Sequence, residues 1–236
     1  MNRSANLTGI SARGMHENAI TGIRLEVIHF LRAPLRRVQE VLSEVSAEVS
    51  VENFFRNMPL ERKERLFLQQ MARILHLGGS YTLNLSVSML ADAAFIQQLA
   101  EQVHERRIII EIQDPGSLLH LSAEAQQRIF FGVRQLADAG YRIWLDDLYP
   151  EHLFYWRQAE IDFDAVKIDA ALFRQLALSD EALAAVVRRY RHIGHQVVVE
   201  GVETIDDYVT CLHGAADAIQ GYFFKSQWIS LPAAAG

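Results

Sequence analysis

Residues 141–152 read YRIWLDDLYPEH. A short apolar run, Ile143-Trp144-Leu145, ends in two adjacent carboxylates, Asp146 and Asp147. It is too short for a helix and has the large side chains of a buried strand. The same form recurs on either side. Downstream, 164–168 (DAVKI) carries Lys167 and is followed by Asp169, 196–200 ends in Glu200 with Glu203 just beyond, and 217–220 ends in Gln220. Upstream, 22–30 carries Glu26, 80–86 carries Asn84 and Ser86, and 107–112 carries Glu111. A weaker candidate strand covers 8–15.

Between these runs the spacing predicts helices near 34–49, 60–76, 90–105, 121–139, 151–158, 170–176, 180–194 and 204–213. Over 121–139, Ala125, Ile129, Val133 and Leu136 recur at helical intervals, with Ser122 placed as N-cap and Gly140 as the C-terminal stop. Strand–helix alternation implies parallel strands joined by crossover helices. About eight strands point to a closed α/β barrel of the TIM-like (β/α)8 type rather than an open sheet. The expected organisation is a single domain over 1–236, with 1–9 flexible. Segment 31–62 is expected to be a charged helical insert, in which Val38, Val41, Val45 and Val49 form a core-facing stripe.

The bulk composition narrows the function. The chain has 236 residues, half of them hydrophobic, enough for a sizeable core. Its net charge is −6, which disfavours wrapping a nucleic-acid polymer. Cys211 is the single cysteine, so no internal disulfide forms. There is neither a bilayer-length apolar run nor an N-terminal signal-like apolar stretch, and the expectation is a cytoplasmic protein without membrane contact.

In a parallel barrel the reactive rim lies at the C-terminal strand ends. Any one of these polar residues alone reads as a helix cap or a snorkelling side chain. Together they put four or five carboxylates on one rim, where they would repel one another and protonate. Divalent cations remove that conflict. Oxygen ligands with an amide and no Cys/His set suit Mg²⁺ or Mn²⁺, and an Asp-Asp pair suits a two-metal site for phosphodiester hydrolysis.

These residues resemble the signatures of the EAL domain, a bacterial barrel that hydrolyses cyclic di-GMP. Glu26-Val27-Ile28 stands for its Glu-Ala-Leu, Asn84-Leu85-Ser86 for Asn-Leu-Ser, and Glu111-Ile112-Gln113-Asp114 for Glu-Ile-Thr-Glu. Leu145-Asp146-Asp147 opens its Asp-Asp-Phe-Gly-Thr-Gly loop. Lys167-Ile168-Asp169, Glu200-Gly201-Val202-Glu203-Thr204 and Asp217 to Tyr222 match the rest. The resemblance spans roughly residues 10–230 and implies a barrel with one antiparallel strand. It also implies one metal on Glu26, Asn84, Glu111 and Asp146, and a second on Asp146, Asp147 and Glu200. Lys167, Asp146 and Glu203 would be catalytic, Gln220 and Ser86 would contact substrate, and Asp114 would support the loop. The reaction would be in-line attack of water on one phosphodiester, yielding linear pGpG.

The chain also departs from the family. Bulky Tyr149, Pro150 and Glu151 replace the Gly-Thr-Gly of the loop, which the resemblance places near a homodimer interface. Phe30 stands where many members carry a phosphate-binding Arg, and Ser226-Gln227 replaces Arg-Pro. The reduced N-terminal half is similar to stand-alone enterobacterial members, some of which act by binding proteins. Two readings follow. One is a cyclic di-GMP phosphodiesterase, working at full or reduced rate. The other is a catalytically degenerate member that controls a partner, such as a transcription regulator, by direct contact, with or without the nucleotide.

Overall fold

A computed structural model describes residues 19–47, 50–102 and 107–230. The candidate strand 8–15 and the segment 1–9 lie outside those residues. Nine strands form one sheet: β1 (Ile20–Phe30), β2 (Arg37–Val45), β3 (Ser80–Ser86), β4 (Ile108–Gln113), β5 (Arg142–Leu145), β6 (Phe163–Ile168), β7 (Gly194–Val199), β8 (Ala218–Ile219) and β9 (Gln227–Ser230). Strands β2 to β8 lie side by side in chain order and in parallel. Strand β1 closes the barrel between β8 and β2, antiparallel to both, and β9 pairs with its first half. The fold is thus an eight-stranded α/β barrel with one reversed strand and one added strand.

The helix expected over 34–49 is not formed. Its centre is β2, paired with β1 from Arg37 to Val45. The valines at 38, 41 and 45 lie near helical spacing, but β-branched residues also suit a pleated strand. Period two decides the matter: Val38, Glu40, Leu42 and Glu44 share one face of the strand. The segment read as an insert therefore supplies a wall of the barrel. Farther on, the helix Ala123–Asp138 starts where Ser122 Oγ accepts from the Ala125 amide at 3.3 Å, and Gly140 follows it at φ 95°.

Alternation along the strands sorts side chains into two compartments. Ile108, Ile110 and Ile112 of β4 pack outward into the main core with Phe130, Val133 and Leu136. The intervening Ile109 joins Ile28, Phe30, Val38, Trp144, Ala165, Val198 and Ala218, a separate apolar cluster contributed entirely by the strands. This cluster fills the barrel below the rim, and Trp144 is fully buried in it. The next residues up the same strand faces are Glu40, Glu111, Asp146, Lys167, Glu200 and Gln220. A packed apolar plug therefore floors a polar layer at the C-terminal strand ends.

Candidate active site at the rim of the barrel

The polar layer is built around Lys167. Its ammonium is fully buried on β6, 2.5 Å from Glu200 Oε1, 3.3 Å from Glu40 Oε2 and 3.3 Å from Asp146 Oδ1. It also donates to Glu111, which is itself fully buried among the isoleucines of β4. Burial alone would strip the proton from a lysine, but four carboxylates reverse the sign and hold its pKa well above the usual value. One cation does not neutralise four anions. Burial, then Glu40, push Glu111 well above the ordinary carboxylate range. Burial also raises Asp146 and takes Glu200 to about 8, with Asp146 adding to the latter. Asp147 is raised to about 7, by desolvation and by Asp146 beside it.

Glu40 is the exception. Burial would raise it, but Lys167 and hydrogen bonds from Asn84 and Gln220 together leave it below its usual value. Asn84 Nδ2 donates to Glu40 Oε1 at 2.9 Å, and Gln220 Nε2 to Glu40 Oε2 at 2.6 Å. Gln220 is aimed by the turn after β8. Gly221 sits there at φ 150°, where an added Cβ would meet the Val202 carbonyl oxygen at 2.4 Å. Only glycine permits that approach.

Glu40 was not among the residues read from the sequence, because 34–49 was read as a helix. Two signals point to it: the alternation Val38-x-Glu40-x-Leu42, and the triplet Glu40-Val41-Leu42, a Glu-aliphatic-Leu like Glu26-Val27-Ile28. Geometry gives Glu40 the place by the lysine. Glu26, on β1, is held instead by Arg24 and by Gln220 Nε2 at 3.0 Å.

The other candidates are distributed along the walls. Ser86, Asp114 and Asp147 line a cavity of about 520 Å³ that reaches Phe55, Leu66 and Phe67. Glu203 lines a second cavity of about 390 Å³, beside Gln220 and Tyr222, and pairs with Arg174 at 3.3 Å. Asp169 caps the helix Ala170–Leu176, accepting from the Leu172 amide at 2.8 Å. Phe30 lies in the apolar plug, with the Arg36 guanidinium carbon 4.0 Å from its ring centre. Its position is away from the rim.

The loop after the Asp pair is pinned. Left-handed backbone falls on Asp147 itself, at φ 43°, and on none of residues 148–151. Leu148 is fully buried, and its amide donates to the Lys167 carbonyl at 3.3 Å. Its carbonyl accepts the Tyr190 hydroxyl, which is buried too. Farther along, Trp156 Nε1 donates to the Pro115 carbonyl at 3.0 Å. Bulky residues thus occupy the loop without needing the conformations that glycine supplies.

Two groups of acidic oxygens could each hold a cation. Glu40, Glu111 and Glu200 form one, and Asp146, Asp147 and Glu200 the other, each with its oxygens within 4.8 Å of one another. Buried oxygens without a hydrogen-bond donor also sit here: Asn84 Oδ1, Glu111 Oε2 and Gln220 Oε1. Orphaned acceptors beside carboxylates that resist ionisation fit a hard divalent cation with oxygen ligands.

The match to the EAL domain family model covers residues 60–227. The chain belongs to the EAL domain family. Over 146 residues, 59% of the chain, this EAL domain is 27% identical to the cyclic di-GMP phosphodiesterase PA2567 of Pseudomonas aeruginosa. It spans only 24% of that relative's length. Its fold is shared with the FimX EAL domain of Pseudomonas aeruginosa bound to c-di-GMP, at TM-score 0.74 and 14% identity over 91% of this chain and 94% of the other. The Bacillus subtilis YkuI protein, in complex with substrate c-di-GMP and calcium, gives TM-score 0.72 and 17% identity over 95% of this chain and 60% of that one. The family match begins at residue 60, so the placing of Glu40 rests on geometry.

Proposed function

We propose that this EAL domain hydrolyses cyclic di-GMP to linear pGpG with two divalent cations, Mg²⁺ or Mn²⁺. The observation that carries this reading is the pair of oxygen groups that share Glu200 around a buried lysine. Glu40, Asn84, Glu111 and Glu200 would hold one cation, and Asp146, Asp147 and Glu200 the other. When bound, such cations lower the pKa of water and stabilise charge developing on a phosphoryl oxygen. The chain's own groups supply the rest. Lys167 keeps the carboxylates converged. Gln220 orders Glu40, while Ser86 and Glu203 face the ligand from the two cavities. Water adds across one phosphodiester, and the sugar oxygen leaves with a proton.

The test is direct. Purified protein is incubated with cyclic di-GMP and Mg²⁺ or Mn²⁺, then with a chelator, and products are separated by chromatography. Appearance of pGpG only with metal is the expected result. Absence of product at every metal concentration would reject the hydrolytic reading.

The second reading, control of a protein partner by direct contact, has its own observation. Ile205, Val209 and Leu212 recur at i, i+4 and i+7 on the helix Ile205–His213, and all three are exposed. Nucleotide binding without turnover would favour it. No helix among the described residues is long and apolar enough to cross a membrane.

A further inference from the structure

We propose that Arg24 is the phosphate-binding cation of this site, an inference that rests on a cyclic dinucleotide being the ligand. The two cavities meet at the acidic centre, and Arg24 lines both. Among the described residues it is the one cation that does. Arg56 and Lys63 line only the first cavity, and Arg174 lines only the second. The reversed strand explains the placement. Running antiparallel to β2, β1 carries its earlier residues above the rim, so Arg24 stands one step beyond Glu26 on the same face, opposite Leu42.

The guanidinium is held in position before any ligand arrives. Nε donates to Glu44 Oε1 at 2.7 Å, and one terminal nitrogen donates to Glu26. The other terminal nitrogen has no acceptor among the described residues. Its N–H groups sit on a side chain that is 21% exposed. A planar fork of donors, already oriented by two carboxylates, suits a phosphodiester oxygen better than any neutral acceptor. The need for such a group is electrostatic. Glu26, Glu40, Glu44, Glu111, Asp146, Asp147 and Glu200 crowd the approach, and a ligand with two phosphates must enter that field. A fixed cation at the junction of the cavities offsets part of the repulsion, whichever cavity each base takes.

Calorimetric titration of cyclic di-GMP tests this, in calcium and again in chelator, with wild type, Arg24→Met and Arg24→Lys. A parallel Mn²⁺ titration without nucleotide reports on the acidic centre. Arg24→Met is expected to weaken nucleotide binding roughly ten- to a hundredfold, the range for hydrogen bonds to a charged group. Mn²⁺ affinity should stay as in wild type. Arg24→Lys should fall between, because it keeps the charge and loses the fork. Should Arg24→Met fail to fold, Arg24→Gln, which still donates to the glutamates, repeats the measurement. Nucleotide binding equal to wild type would overturn the assignment. So would equal losses of nucleotide and Mn²⁺ affinity, which would mean that Arg24 acts only by holding Glu26. A wild-type protein that does not bind cyclic di-GMP at all would overturn the ligand reading, and this inference with it.

Discussion

Gln220 Nε2 donates to Glu40 Oε2 at 2.6 Å, and through that bond the last strand of the barrel orients a carboxylate on the second. The same amide also donates to Glu26 Oε2 at 3.0 Å. Gln220 thus bridges the carboxylate beside Lys167 and the one tied to Arg24, and the two glutamates are expected to behave differently when changed.

Glu40→Gln should lower phosphodiesterase turnover by more than about a hundredfold, the upper end of the loss from an outer partner of a metal ligand. Glu26→Gln should cost roughly tenfold, since its carboxylate acts through Gln220 and Arg24. Turnover and Mn²⁺ titration of both variants, measured side by side, check the ranking. The reverse order would return Glu26 to the metal site.

Lys167→Met should show how far the ammonium stabilises the metal-free barrel. Removing one partner of a buried ion pair costs about 3–5 kcal/mol, because the remaining charges are left uncompensated. Urea unfolding in chelator should show a loss of this size, and saturating Mn²⁺ should restore part of it. Equal losses with and without Mn²⁺ would mean that the cation does not take over the charge.

The metal-free protein should lose stability as pH rises from about 5 to 8. Glu200 is raised to about 8, so the folded state holds a proton that the unfolded chain releases near its ordinary value. Stability from that proton is complete below the unfolded pKa and gone above the folded one. Asp147, raised to about 7, acts in the same direction, but the residue is partly desolvated and partly open to solvent, which screens its share. Melting in chelator should therefore occur at a higher temperature at pH 6 than at pH 8.5. With saturating Mn²⁺ the gap should shrink, because bound carboxylates are already deprotonated. A higher melting temperature at pH 8.5 in chelator would contradict the acidic cluster as the source.

Tyr190→Phe removes one hydroxyl and leaves the buried Leu148 carbonyl without its donor. The expected loss of stability is about 1–3 kcal/mol. Because Leu148 follows Asp147 directly, the shift in melting temperature on adding Mn²⁺ should also be smaller than in wild type. An unchanged metal-induced shift would confine Tyr190 to a packing role.

Much of this was legible in the chain because it is local. Strands such as Ile108–Gln113 and Phe163–Ile168 are short and β-branched, with polar residues near or just beyond their ends, and helix Ala123–Asp138 carries its own cap and stop. Alternation then fixes which side chains face the lumen, so Glu111, Asp146, Lys167 and Glu200 converge once a barrel is granted. The error over 34–49 had a local cause too. Valines three and four apart fit a helix as well as a strand, and pairing with β1 and β3 settles the choice.

The sequence by itself determined the barrel and the acidic character of its rim, because strand length, β-branching and terminal carboxylates are properties of short segments. Only the tertiary structure decided which carboxylate stands by the lysine, since Glu40, Lys167 and Gln220 meet across 127 and 180 residues of chain. It also decided that Arg24 overlooks both cavities, because that follows from the reversed direction of β1. Strand direction and register are set by closure of the whole sheet, a balance of distant pairings that no single segment encodes.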